Sequence, residues 1–139
     1  MIGQMGLYAA FASILIALSA YQFGSPVLQS IRISERMAQA FKSVPCEGGQ
    51  WASTGYAEPS LVFLTRTDLH LVSAEGMVDF LHAGGCRVGF VTQNQLPAFE
   101  KAMEGRGLSL QPAQVLSGFN INGGKRLSAT LYIKEEAKP

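Results

Sequence analysis

Met5 to Phe23 reads MGLYAAFASILIALSAYQF, nineteen residues without a charged side chain. Its polar members are Ser13, Ser19, Gln22 and two tyrosines. At 1.5 Å per residue, a helix of this length reaches about 28 Å, close to the ~30 Å hydrocarbon core of a bilayer. Tyr8 and Tyr21 fall near its ends, where amphipathic rings favour the interface. All 11 Lys+Arg and all 10 Asp+Glu come after Ile31, so the chain divides sharply in character there. The pattern predicts a transmembrane anchor helix and break over 1–31, with Gly24-Ser25-Pro26 as the break. An amphipathic linker helix at 32–44, a soluble α/β domain at 45–134 and a polar tail at 135–139 follow.

At 139 residues and 47% hydrophobic, the chain has room for one small domain beside that helix and is too apolar to be disordered. A net charge of +1 gives no general pull towards nucleic acid, which is not expected as a partner. The bilayer is the expected one. A cleaved signal peptide competes with the anchor: Ala17-Leu18-Ser19 has the small-x-small form, yet no Lys or Arg makes a basic n-region. No Cys follows the apolar run, so lipoprotein processing has no acceptor. Ala9, Ala12, Ser13 and Ala17 are small enough to let a helix of another membrane protein approach closely, the alternative being a lone anchor touching only lipid. Arg32, Arg36 and Lys42 follow the helix and no charge precedes it, so the positive-inside rule alone puts the C-terminal part in the cytoplasm.

Beyond the anchor, Ser34 is a plausible N-cap with Glu35 in the first turn, and Met37, Phe41 and Val44 form one apolar stripe. Trp51–Tyr56 and Leu61–Thr65 read as short strands around Glu58-Pro59. Ser73 caps a helix reaching Ala83, stopped by Gly84-Gly85. Arg87–Thr92 (RVGFVT) reads as a central strand, and Pro97–Gly105 as a helix with Phe99 and Met103 four apart. Gln114–Asn120 and Lys125–Ile133 flank Asn122-Gly123-Gly124, a hairpin signal. Leu127, Ala129, Leu131 and Ile133 alternate with polar residues, as in a strand with one buried face. The order is ββαβαββ, an α/β fold with a mixed sheet and packed helices.

Generic chemistry is sparse. Cys46 and Cys86, 40 residues apart, admit three readings. A disulfide would contribute about 4 kcal/mol in the loop-entropy model and needs an oxidising compartment such as the periplasm. With His70 and His82 they make C-x23-H-x11-H-x3-C, which lacks the close cysteine pair of known zinc modules. Two unrelated buried thiols are the third. Glu58, Asp68 and His70 can be drawn as an acid/base group, although loop carboxylates beside a surface histidine are commonly solvated or capping. Asn122-Gly123-Gly124-Lys125-Arg126 lacks the G-x-x-x-x-G-K-[ST] form and precedes a strand. Ser60 and Ser73 have no nucleophile-elbow context. No cofactor, metal or catalytic residue is expected.

The most informative stretch is Gly55-Tyr56-Ala57-Glu58-Pro59-Ser60-Leu61-Val62-Phe63-Leu64, followed by Thr67-Asp68. With Gly118-Phe119-Asn120, Gly124-Lys125-Arg126 and the strand ending Leu131-Tyr132, it resembles the C-terminal end of bacterial family 39 glycosyltransferases. These are GT-C class relatives of the dolichyl-phosphate-mannose mannosyltransferases and the aminoarabinose transferases. The resemblance spans nearly the whole chain. It implies a last transmembrane helix, a short helix over Ser34–Phe41, and a small periplasmic domain at the bacterial inner membrane. The class uses polyprenyl-phosphate-linked sugars and carries its catalytic acids on an early loop. This chain has no counterpart of that loop, so no catalytic residue is carried over and the isolated chain is not expected to be active alone. The resemblance implies a non-catalytic portion that supports or covers the active site, with transferase helices as partner. The alternative is a single-pass adapter that reuses the domain. Tyr56, Glu58, Asp68 and Asn120 are the candidate ligand or interface contacts. Against that stands a purely architectural role for the motif, with glycine for a turn, Pro59 directing an edge and the apolar run forming a buried strand. Arg66 departs from a small residue usual in the family, and Ile121 from an aromatic.

Overall fold

The structure, a computed structural model, describes residues 2–46, 48–120 and 123–135, and of these not the side chains of 2 and 25–31. The chain falls into two compact units, Met1–Ile31 and Arg32–Pro139. The first is one helix, α1 (Ile2–Ile31). Its segment Gly3–Gly24, 22 residues, is long and apolar enough to cross a membrane. Ser13 Oγ donates to the Ala9 carbonyl (2.9 Å) and Ser19 Oγ to that of Leu15 (2.7 Å), so both hydroxyls are satisfied within the helix. That is how apolar surroundings tolerate serine. The expected break at Gly24-Ser25-Pro26 is corrected, because the helix runs on to Ile31 and ends at the extended backbone of Arg32 (ψ 118°).

The second unit is organised by RVGFVT. An apolar run with both faces buried belongs in the middle of a sheet covered on both sides. The elements in order are α2 (Ile33–Ser43), β1 (Gln50–Thr54), α3 (Pro59–Leu64), β2 (His70–Leu71), α4 (Ala74–His82), β3 (Arg87–Thr92), α5 (Leu96–Gly105), β4 (Pro112–Asn120) and β5 (Lys125–Lys134). The sheet order is β2-β1-β3-β5-β4, with β2, β1 and β3 parallel and β5 antiparallel to both β3 and β4. The α/β class and mixed sheet expected from the sequence are present.

Alternate residues of β3 face two cores. Val88 and Phe90 join Leu116, Ala129 and Leu131 beneath Ile33, Met37 and Phe41 of α2 and Leu61 of α3. On the other face, Val91, Ala52 and Tyr132 pack under Met77, Val78 and Leu81 of α4 and Phe99 and Met103 of α5. Gly89 makes that second contact close: a Cβ there would stand 2.5 Å from Met77 Sδ. The one-sided burial expected of β5 is therefore corrected, since Ala129 to Tyr132 are all buried. The N-terminal helix of this unit is not a separate linker in packing, because α2 contributes Ile33, Met37, Ala40 and Phe41 to the core.

Three further expectations change. Leu61–Thr65 is not a strand but most of α3, with Pro59 in its first turn, where a missing N–H costs nothing. The second strand is instead the two-residue β2. Ser34 does not cap α2; Arg32 occupies that position without a side-chain cap bond, and Ser34 is buried. By contrast Ser73 Oγ does accept from Gly76 N–H (3.1 Å) at the start of α4. The hairpin of β4 and β5 is present, while Ile121 and Asn122 of its turn lie outside the described residues.

Cys46 and Cys86 form a disulfide, with Cα atoms 5.8 Å apart. It joins the chain after α2 to the chain before β3, and it excludes both the zinc and the free-thiol readings. Gly49 fits beside it because a Cβ would meet Cys46 Sγ at 2.5 Å. Sheet edges are short or covered. β2 has two residues, and on the β4 side Arg32 bridges Phe119 through the backbone while the Arg36 guanidinium holds the Ser117 carbonyl.

Burial, with the Glu100 carboxylate adding to it, pushes the Tyr132 hydroxyl above its ordinary pKa of 10.0. The folded state thus holds this proton more tightly than the unfolded chain. The stability so gained is complete below pH 10 and is lost as pH rises through the raised folded value. Tyr132→Phe should therefore flatten the alkaline decline in stability. Urea unfolding midpoints across that range test this, and an unchanged alkaline slope would refute it.

Candidate functional site

A glycine fixes the first wall of the site. Gly55 has φ +80°, and a Cβ on it would stand 1.9 Å from Thr92 Oγ1 and 2.7 Å from Gln95 Cγ. It ends β1 and turns the chain towards α3. β1 leads to α3 on one face and β3 to α5 on the other, so their carboxyl ends form the switch point where open α/β sheets commonly bind ligands. Here Thr92 and Gln95 close against Gly55. Thr92 Oγ1 also lies 3.2 Å from the Thr54 carbonyl and 2.5 Å from Asn94 Oδ1. The available pocket lies elsewhere, at the start of α2.

Ser53 Oγ donates to the Tyr56 carbonyl (2.9 Å), which holds the turn after Gly55 and sends the Tyr56 ring inward. Its hydroxyl lies 2.6 Å from Ser34 Oγ, and Ser34 Oγ lies 2.8 Å from Ser60 Oγ. Three hydroxyls share two hydrogen bonds, so one proton is left to point outward. Tyr56 and Ser34 are 6% and 5% exposed, and among the described residues the phenol bonds to Ser34 alone. The direction that leaves no buried proton unused runs from Tyr56 to Ser34 to Ser60. Ser60, the exposed end, then offers its proton to the pocket, and each bond in such a chain strengthens the next.

The pocket has a volume of about 210 Å³. The start of α2 supplies Arg32, Ser34 and Glu35, and the turn and α3 supply Tyr56, Ser60 and Leu64. The end of β4 supplies Phe119 and Asn120. Asn120 Nδ2 donates to Glu58 Oε1 (3.3 Å), while its Oδ1 accepts from Gly123 N–H (3.2 Å). Arg32 reaches Glu35 at 3.4 Å. A hydroxyl, an amide, a carboxylate and a guanidinium beside Leu64 and Phe119 suit a small, mostly polar group. Among the described residues, Ser34 and Ser60 bond to hydroxyl groups.

Of the candidate contacts, Tyr56 and Asn120 line this pocket and Glu58 braces Asn120. Asp68 has a different setting. Arg66 Nε and Nη2 donate to its two carboxylate oxygens at 2.7 and 2.6 Å. That bonding lowers the Asp68 pKa, with the Arg66 charge adding to the effect against desolvation. Arg66 in turn lies 5.5 Å over Trp51, whose other neighbour is the Phe41 ring, stacked at 4.6 Å. Arg66 thus clamps Trp51 from the surface side. His70 lies against Phe80 at 5.5 Å. His70 also adds a weak charge effect on Asp68, while Glu58 is bonded to Asn120 at the pocket. Sequence reasoning does not single out Ser34, Arg32 or Phe119 as pocket residues. The signal for Ser34 is its place three residues before Met37 and seven before Phe41, on the buried stripe.

No family model, characterised protein or solved structure matches the chain.

Ser34→Ala removes the acceptor of a buried phenol, so it should cost about 1–3 kcal/mol. Tyr56→Phe removes the same bond from the other side. The double variant should then be less destabilised than the sum of the two, by roughly 0.5–3 kcal/mol. Urea denaturation of the four proteins measures this coupling, and strict additivity would show that the hydroxyls do not interact.

Proposed function

We propose that this chain is the membrane-anchored, periplasmic C-terminal portion of a family 39-like glycosyltransferase of the bacterial inner membrane, and that it supports or covers the active site without supplying catalytic groups. One observation carries the reading. The two stretches that bear the resemblance, GYAEPSLVFL and GFN, lie more than fifty residues apart in the sequence, yet Tyr56, Ser60, Leu64, Phe119 and Asn120 meet in one pocket. Turns and strands alone do not require such convergence. In this reading the Ser60 hydroxyl, Arg32 and the Glu58-braced Asn120 hold a polar part of the sugar donor or acceptor while distant membrane helices carry out transfer.

The disulfide supports the compartment, because such bonds persist in oxidising surroundings. An impermeant thiol reagent applied to intact cells should label Cys46 and Cys86 only after reduction, and without lysis. Labelling that needs lysis but no reductant would place both thiols in the cytoplasm and overturn this reading.

The transferase partner is expected at the small-residue face of α1, where Ala9, Ser13 and Ala17 recur at four-residue spacing beside Ala12. Ala9→Leu, Ala12→Leu and Ala17→Leu together should release a multi-spanning, polyprenyl-phosphate-sugar-dependent partner from the tagged chain in mild detergent. Retained co-purification eliminates that contact, and stable association with unrelated membrane proteins instead favours an adapter.

A further inference from the structure

Helix α3 buries Leu61 completely, yet turns Phe63 outward at 93% exposure, with Leu64 beside it at 40%. Folding leaves the apolar area of this phenylalanine in water, so that area is still available for burial in a further contact. Leu64 shares its pocket with Arg32 and Phe119, so the exposed pair belongs to the same end of the domain as residue 32. Arg32 follows the apolar segment Gly3–Gly24 by only eight residues. The intervening chain is helical to Ile31, a rise of about 12 Å. Even fully extended, it would reach no more than about 28 Å. Headgroup layers add roughly 5–8 Å to each side of the hydrocarbon core. The opposite strand adds charge: Lys125 pairs with Asn120 in register, and cross-strand partners share a sheet face, here the one that Leu116 presents to α2. Lys125 is exposed, while Glu35 is engaged by Arg32 and Glu58 by Asn120.

We propose that Phe63 and Leu64 form a wedge that inserts into the headgroup region of the bilayer crossed by α1, with Lys125 meeting lipid phosphates beside the pocket mouth. The pocket then opens at the membrane surface, where an amphipathic, lipid-linked molecule presents its polar end. This contact adds to the helix docking described above and does not depend on it.

The test uses the full chain, purified alone and reconstituted into vesicles of phosphatidylethanolamine and phosphatidylglycerol, with Phe63→Trp as the reporter and Trp51 of the unaltered chain as background. Lys101→Trp, on α5 across the sheet from α3, is the control. The emission that Phe63→Trp adds should be blue-shifted, quenched several-fold more by interfacially brominated lipid than that of Lys101→Trp, and less quenched when phosphatidylglycerol is replaced by phosphatidylcholine. Water-like, unquenched emission overturns the wedge. A blue shift that brominated lipid does not quench, and that grows with protein density, also overturns it and assigns the surface to a second copy. Circular dichroism and the oxidised Cys46–Cys86 bond establish that the variants are folded. None of these outcomes bears on the transferase partner, so failure here leaves that reading standing on its own test.

Discussion

The docking of α2 onto the sheet is the contact on which the rest of the second unit depends. Ile33, Met37, Ala40 and Phe41 place an apolar stripe over Val88, Phe90 and Leu131, and Phe41 packs edge-on to Phe90 at 4.6 Å. Both ends of the helix are then fixed by different chemistry. At its start, Ser34 bonds to Tyr56 and Ser60, and Arg36 holds the outer edge of β4. Past its end, Cys46 is covalently tied to the residue before β3. Hydrophobic burial alone would allow the helix to slide or rotate, because apolar contact is non-directional. The hydroxyl chain and the disulfide supply the direction, and the pocket exists because the first turn of α2 is held where they hold it.

Long elements with a regular period are legible in the sequence. RVGFVT, the Ser73-capped helix and the Asn122-Gly123-Gly124 hairpin each carry their own local signal. PSLVFL misleads because six residues, most of them apolar and two favourable to strands, fit a buried strand and a short helix equally well. Pro59 in front of the apolar run is the discriminating feature, since proline suits a first helical turn. Ser34 misleads for a related reason. Serine before an acidic residue has the form of a cap, and only its spacing from Met37 and Phe41 marks it as buried. Asp68 joins the candidate contacts through its place in the motif, whereas Arg66 two residues earlier provides a nearer partner. The pocket itself cannot be read along the chain. Residues 34, 56, 60 and 120 come together only through the strand order and the position of α2, which are long-range properties of the fold.

Closure of the usual crevice and opening of the α2 pocket have one origin. Gly55 lets Thr92 and Gln95 pack against the backbone at the end of β1, and its positive φ directs the following residues towards α2. Any side chain there would have to displace Thr92. The same turn therefore withholds one ligand position and builds another.

The positive-inside bias and the disulfide bear on different compartments, and they differ in kind. The positive-inside bias is a statistical tendency of insertion, strongest for loops shorter than about 60 residues, while longer domains cross largely regardless of charge. The unit beginning at Arg32 is well beyond that length. A disulfide is subject to the equilibrium of the compartment in which the folded chain resides, and the cytoplasm keeps most thiols reduced. Arg32 and Arg36 also have structural uses, on Glu35 and on the Ser117 carbonyl, that account for them without a role in orientation. The bias thus concerns how a segment inserts, whereas the bond that fixes one end of α2 concerns where the folded chain can keep it.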